Sequence, residues 1–467
     1  MSSSRFVKFA ALLVAVASGT APFSVEANGR FPAASYVVVG PGPESSRIVL
    51  RTTFGLLMSS DAGRSWGWVC EEALDAVGTF DPSVSLGATG NVVLALQRGL
   101  AVSLDGCAWS NPANTPARPI VDVTHDVTGR VVIAAVGPSG IHDALLRSDD
   151  SGATWREGAR TPGYFLETVE VAPGDSRRVY LTAFVPGPEP ALLRSDDGGD
   201  HVRELTRSFP GGLSAYVAGV DPRDPDVVYV RSTAASGIGS ILFRSGDGGM
   251  TFREVVRTQG AMKGFALSDD GRTVWVGSSD PNEGLLRSVD GGTFSRVRER
   301  VAVQCLRHHA GLLYVCADEA IDGYALGCSS DGGDHILPIL SLRQIPGPLT
   351  CPRMTLTGDR CPAVWPALRD RLRAIDASAP RTPVFHDASD DVTIDAASDV
   401  SDVNDVVVTD TGRAPDATVA PPPAGRCDCD VPGGAQGFSG VWVVVWALAR
   451  RRYHSRRSPG CGTTTRA

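Results

Sequence analysis

The sequence predicts an all-β protein, a seven-bladed β-propeller of four-stranded antiparallel blades, followed by a short helical, disulfide-bearing element and a disordered tether. Three observations predict it. One motif of about eight residues returns seven times, and successive copies begin 41 to 50 residues apart. A short apolar strand precedes each copy in step. A unit of about 45 residues with strand, turn, strand, loop, strand, motif and strand has the size of a propeller blade. A stack of such units would expose sheet edges and need caps, whereas a closed ring protects them.

The chain of 467 residues begins with a secretory pattern. Arg5 and Lys8 precede the apolar run FAALLVAVA at 9–17, with small-residue cleavage sites after Ala17 or Ala27. The run is too short for a span of about 20 residues, so residues 1–27 are expected to be a signal peptide. Ten cysteines fit export to an oxidising compartment. The formal charge of -8 gives no basis for nucleic-acid binding. Only Lys8 and Lys263 stand against forty-two arginines, which reads as codon bias and not as a binding surface.

The propeller is expected over residues 31–342. Its motif copies are SSDAGRSW (59–66), SLDGCAW (103–109), SDDSGATW (148–155), SDDGGDHV (195–202), SGDGGMTF (245–252), SVDGGTF (288–294) and SSDGGDHI (329–336). The strands in step with them include RIVLR, NVVLAL, RVVIAA and TVWVGS, which follow turns such as Ser268-Asp269-Asp270-Gly271. Within each motif the residue types suit a hairpin turn. The aspartate accepts from backbone N–H groups of its own turn, the glycine permits a left-handed conformation and the aromatic packs between sheets. These turn residues are Ser59, Asp61, Gly63, Trp66, Ser103, Asp105, Trp109, Ser148, Asp150, Gly152 and Trp155 in the first three copies. In the last four they are Ser195, Asp197, Gly199, Ser245, Asp247, Gly249, Phe252, Ser288, Asp290, Phe294, Ser329, Asp331 and Gly333. One such turn supplies too few oxygen ligands for calcium.

The pattern S-x-D-x-G-x-[TS]-[WF] resembles the Asp-box, or BNR, repeat. That family includes bacterial sialidases, sortilin-type receptors, certain glucanases and a photosystem assembly factor. The resemblance covers about two-thirds of the chain and implies the propeller fold; the family holds enzymes, receptors and assembly factors alike, so it leaves activity open.

Six cysteines are candidates for disulfides. Cys305 and Cys316 bracket the turn His309-Ala310-Gly311-Leu312 symmetrically and are expected to face each other across a hairpin. Cys70 with Cys107, and Cys351 with Cys361, are the other pairings expected, which leaves Cys328 unassigned. The cysteines and histidines lack zinc spacing, and no metal or cofactor is expected. Residues 343–375 form a closing segment in which Trp365, Leu368 and Leu372 recur at helical spacing.

Residues 376–426 contain ten aspartates, no glutamate and three prolines in a row, the composition of an extended tether. In residues 427–467, Cys427 and Cys429 precede an uncharged apolar stretch and then an arginine cluster. This arrangement resembles the myxobacterial C-terminal sorting signal, which implies processing near those cysteines by export and sorting machinery. It also implies attachment to the membrane and display at the outer surface of the cell envelope. NGRFPAA at 28–34 and RTTFGLLMSSDAG at 51–63 are similar to surface-anchored Asp-box propellers of myxobacteria.

Catalysis would need a separate constellation: arginines with a Tyr–Glu pair in a sialidase, or two carboxylates about 5–9 Å apart in a glucanase. Tyr164, Glu167, Tyr216 and Glu283 fall in inter-strand regions at the ring's mouth, but their spacing singles out no catalytic residue. His308-His309 reads as a solvated pair in a turn. The function expected is that of a monomeric, non-enzymatic binding module for a protein or glycan, acting through the inter-strand loops. The alternatives are a glycoside hydrolase of sialidase or glucanase type, and an assembly factor for an exported envelope complex.

Overall fold

The computed structural model describes residues 30–76, 81–187, 189–297 and 300–375. The expected signal peptide, tether and anchor segment, with Cys427 and Cys429, lie outside them. The chain forms seven antiparallel sheets, each from consecutive strands. Their innermost strands are Ala34–Val39, Ser83–Leu86, Ile120–His125, Phe165–Ala172, Tyr216–Val220, Met262–Leu267 and Val303–His309. Each packs against the next and the last against the first, so the seven blades close a ring around a central channel. The second strands are rich in apolar residues because both of their faces lie between blades. In Val92–Leu96, Val132–Val136 and Val274–Ser278 every residue is buried.

Six sheets have four strands. Blade 2 has three, with a single bridge between Val102 and Ser110 where a fourth strand would start. Pro112 lacks an amide hydrogen to extend that bridge, and Cys107 is drawn away into a disulfide with Cys351.

That bond corrects the cysteine pairing. The bridges are Cys70–Cys361 and Cys107–Cys351, not Cys70–Cys107 and Cys351–Cys361, and Cys305–Cys316 joins the hairpin as expected. Local spacing misled because the chain returns on itself: the segment after blade 7 crosses to blades 1 and 2. Trp68 N donates to Gly347 O at 3.0 Å and Leu349 N donates to Trp68 O at 2.8 Å, so the returning segment lies along the outer edge of blade 1. It then enters a helix (Leu356–Arg373), longer than the short helix expected and capped by the Thr355 hydroxyl, which accepts from Gly358 N. The helix buries Thr357, Cys361, Leu368 and Leu372, and Trp365 meets Trp68 with ring centroids 5.5 Å apart. Its exposed opposite face carries Pro362 and Pro366. The segment that follows the last blade is thus fastened covalently to the first two.

In each of the seven repeated turns the serine hydroxyl donates to the aspartate Oδ1, which also accepts from a backbone N–H of its own turn. In the third copy Asp150 Oδ1 accepts from the Ser148 hydroxyl at 2.8 Å and from Thr154 N at 2.8 Å, while Oδ2 accepts from Thr154 Oγ1 at 2.6 Å. Gly152 N donates to Ser148 Oγ at 2.8 Å, and Trp155 Nε1 donates to Gly152 O at 2.9 Å. Where the fourth and seventh copies lose the threonine, histidine replaces it. His201 and His335 bring their backbone N to 2.9 Å and Nδ1 to 2.6 Å of the Asp197 and Asp331 carboxylates. The arginine before the serine adds a clamp between blades. Arg147 reaches Gly198 O at 3.2 Å, Arg194 reaches Gly248 O at 2.7 Å and Arg287 reaches Gly332 O at 3.2 Å, each in the next copy of the turn.

Candidate functional site

Strand order divides the ring's two faces. The repeated turns, between third and fourth strands, share one face with the hairpins between first and second strands. The loops between second and third strands, and the connections between blades, lie on the other. On that second face, across blades 3 to 5, a cleft of ≈ 570 Å³ is lined by Val121, Pro138, Phe165, Leu166, Glu167, Phe184, Val185, Pro186, Gly187 and Tyr216.

One buried aspartate builds the cleft wall. Asp143 Oδ1 accepts from Ser139 N at 2.7 Å, Ser139 Oγ at 2.6 Å and Gly140 N at 2.7 Å, which folds the loop at 138–143. Its Oδ2 accepts from Leu166 N at 3.0 Å and so fixes that loop of blade 3 to the inner strand of blade 4. Gly140, at φ +67, lies so close to the Phe165 ring that an added Cβ would sit 2.8 Å from it. A larger residue there would be strained and would push the ring into the cleft.

Glu167 is the one charged residue among the ten described residues that line the cleft. Its Oε2 is buried and takes no hydrogen bond from any described residue. Burial pushes its carboxyl up to about 7. Burial also raises the Tyr216 phenol, with a smaller contribution from the Glu167 charge. The Arg231 guanidinium lies 5.3 Å from the Tyr216 ring centroid, close enough for a cation–π contact.

A second polar group fills the channel. Asp122 accepts from Ser83 Oγ at 2.7 Å, Val123 N at 2.9 Å and Val169 N at 2.9 Å, linking blades 2, 3 and 4. Burial still raises its carboxyl. Glu170, 3.1 Å from Thr124 Oγ1, is pushed up to about 7 by burial and then by the Asp122 charge, against the pull of Arg307. His125, whose Nδ1 is 2.9 Å from Ser85 Oγ, is held down to about 3 by burial and by Arg307 and His309.

These groups set the pH dependence of folding. As pH falls from 7 towards 4.5, Glu167 and Glu170 take protons earlier in the folded state and favour it. His125 resists protonation and disfavours it, so these contributions oppose each other. Asp197, Asp247 and Asp290 are lowered to about 2 by hydrogen bonds within their turns. A lowered carboxyl stabilises above its ordinary value of 3.8 and loses that contribution as pH falls through its folded value. Two raised carboxyls outweigh one lowered imidazole, so the expected profile holds or rises as pH falls to about 4.5 and drops steeply between about 4 and 2, measured as melting temperature against pH. Loss that begins near pH 6 would contradict it.

Of the four mouth residues read from sequence, the structure brings two together, Glu167 and Tyr216. Tyr164 instead donates to Glu204 Oε2 at 2.8 Å on an outer strand. Glu283 accepts from Gln259 N at 2.7 Å, Gly260 N at 2.9 Å and Ser278 Oγ at 2.7 Å, which closes a turn. The histidines are not a solvated pair. His308 stacks on Trp275 with centroids 5.2 Å apart and lies 3.2 Å from Asp269, and the tight turn is Ala310-Gly311, both at positive φ. Sequence reasoning missed Asp143 and the channel charges. The run PSGIHD at 138–143 carried a turn signal, serine and glycine before an aspartate; nothing in the spacing of the channel residues marked them.

No family model matches the chain. The xyloglucanase Xgh74A of Acetivibrio thermocellus is 24% identical over an alignment of 202 residues that covers 34% of this chain and 23% of that enzyme. The match therefore spans under a quarter of the relative's length. Among solved structures, an ancestral GH74 enzyme is similar over 67% of this chain and 55% of its own, with a TM-score of 0.43 and 12% identity. The GH74 xyloglucanase from Xanthomonas campestris is similar over 67% and 64%, with a TM-score of 0.30 and 16% identity. The extracellular domain of a putative one component system from B. thetaiotaomicron is similar over 65% and 39%, with a TM-score of 0.44 and 11% identity.

Proposed function

We propose that this chain is an exported, surface-anchored propeller that binds a protein or glycan ligand in the cleft on the face opposite the repeated turns. One observation carries the reading: Phe165, Phe184 and Tyr216 line one cleft with a single carboxyl, Glu167, whose buried oxygen has no hydrogen-bond partner among the described residues. Aromatic rings with one convergent polar group are the usual furnishing of a recognition site. The three disulfides fit an extracytoplasmic location.

The test is titration calorimetry with ligands taken from a glycan array and an envelope pull-down. Phe184→Ala and Glu167→Gln are each expected to weaken binding about tenfold or more, the loss of roughly one good contact, with an unchanged far-ultraviolet spectrum. A ligand held equally well by both variants would sink the cleft reading. The anchor has its own test: deletion of residues 427–467 releases the protein from cells, and continued attachment contradicts it.

A second reading, glycoside hydrolysis, is supported by the coupled pair Asp122 and Glu170 in the channel and by the 202-residue likeness to a xyloglucanase. An acid raised to about 7 beside a second carboxylate suits general-acid chemistry. Against it, Asp122 is engaged by three donors that tie blades together. Measurable turnover of xyloglucan or β-glucan, abolished by Glu170→Gln, would favour hydrolysis over binding.

A further inference from the structure

We propose that the cleft takes an extended protein segment in which one lysine or arginine is flanked by apolar side chains. The inference rests on the binding reading above and names the ligand class. Its first support is charge. Glu167 stands alone in a lining that is otherwise apolar, aromatic or glycine, and its buried Oε2 meets no donor from the described residues. A cationic head supplies both the missing donor and the opposite charge, and a charge-assisted hydrogen bond is the strongest available kind.

The walls fit the rest of such a side chain. Phe165, Phe184 and Tyr216 line the same cleft, and aromatic rings suit both a methylene stem and a cation. The Tyr216 ring already lies beside one guanidinium, that of Arg231.

The exposed loops of the same face decide between a peptide and a sugar. The tips of the second-to-third-strand loops in blades 3 and 5 repeat Ser-Gly-Ile, at Ser139-Gly140-Ile141 and Ser236-Gly237-Ile238. Ile141 is 72% exposed, Ile238 70% and Leu213 53%. These loops are braced: Asp143 ties the first to blade 4, and Ala235 N donates to Gly211 O at 2.8 Å in the connection that carries Leu213. Braced apolar tips on the face that carries a charged cleft call for apolar partner side chains beside a charged one. A neutral sugar would satisfy Glu167 and leave the isoleucines wet.

The test is selection of phage-displayed random dodecapeptides on the full chain, followed by titration of the leading peptide. Enriched peptides are expected to carry lysine or arginine between apolar residues. Replacing that residue with norleucine in the peptide, or Glu167→Gln in the protein, is expected to weaken binding at least tenfold. The double variant Ile141→Ser with Ile238→Ser, altered only at exposed tips, is expected to weaken it about fivefold. No enrichment, enrichment without a cationic residue, or affinity indifferent to Glu167→Gln would overturn the inference. Cello- and xylo-oligosaccharides are titrated in parallel. If they bind in a Glu167-dependent way and no peptide is enriched, this inference falls and the cleft reading stands; if neither class binds, both fall.

Discussion

Replacing Cys70, Cys107, Cys351 and Cys361 together with serine lowers the melting temperature of the full chain by roughly 10 °C or more. The two bridges join residues 291 and 244 positions apart, so each removes a great deal of freedom from the unfolded chain. The chain-entropy model credits loops of this size with about 5–6 kcal/mol for the first bridge, and less for the second, whose loop the first has shortened. That sum is comparable with the whole stability of many domains. The Cys305–Cys316 bridge closes a separation of only 11 residues within one hairpin. Its removal should cost about 1–3 kcal/mol. Scanning calorimetry of the two serine variants distinguishes these cases. Equal losses would mean that the two bridges to the returning segment stabilise the chain no more than the local hairpin bridge does.

The second large effect falls on the cleft. Asp143→Ala deprives three backbone N–H groups of their acceptor, and Leu166 N among them is buried. The expected destabilisation is about 2–4 kcal/mol, since each stranded donor costs about 1–3 kcal/mol when dry and less when water reaches it. The functional loss should exceed the structural one. Freed from Asp143, the loop at 138–143 no longer holds Gly140 against Phe165, and ligand binding should disappear at temperatures where the chain is still folded. Asp143→Asn keeps one acceptor oxygen and should retain part of both. Thermal melts paired with binding titrations check this; an Asp143→Ala variant that melts lower yet binds normally would remove the aspartate from any role in shaping the site.

The repeat made the blades legible, because seven phased copies of one turn leave little choice of topology. The local hairpin at Cys305 and Cys316 was legible for the same reason: two residues equidistant from a tight turn must face each other. The longer disulfides were not, since Cys70 and Cys361 become neighbours only when the ring closes. In the site, Glu167 and Tyr216 could be placed at the mouth by position along their strands, but their meeting could not. It depends on how adjacent inner strands stack around the channel, which strand periodicity does not encode. Asp143 looked like one more turn residue, and its reach to Leu166 N exists only across a blade boundary.

The central claim is that recognition sits in the loop face of blades 3 to 5 and not in the repeated turns. Hydrogen exchange of the full chain, with and without the tightest ligand from the glycan and peptide panels, tests it most directly. Slowed exchange at 138–143, 165–167, 184–187 and around Tyr216 is the predicted footprint. Slowing confined to the repeated turns, such as 148–155 and 245–252, would contradict it.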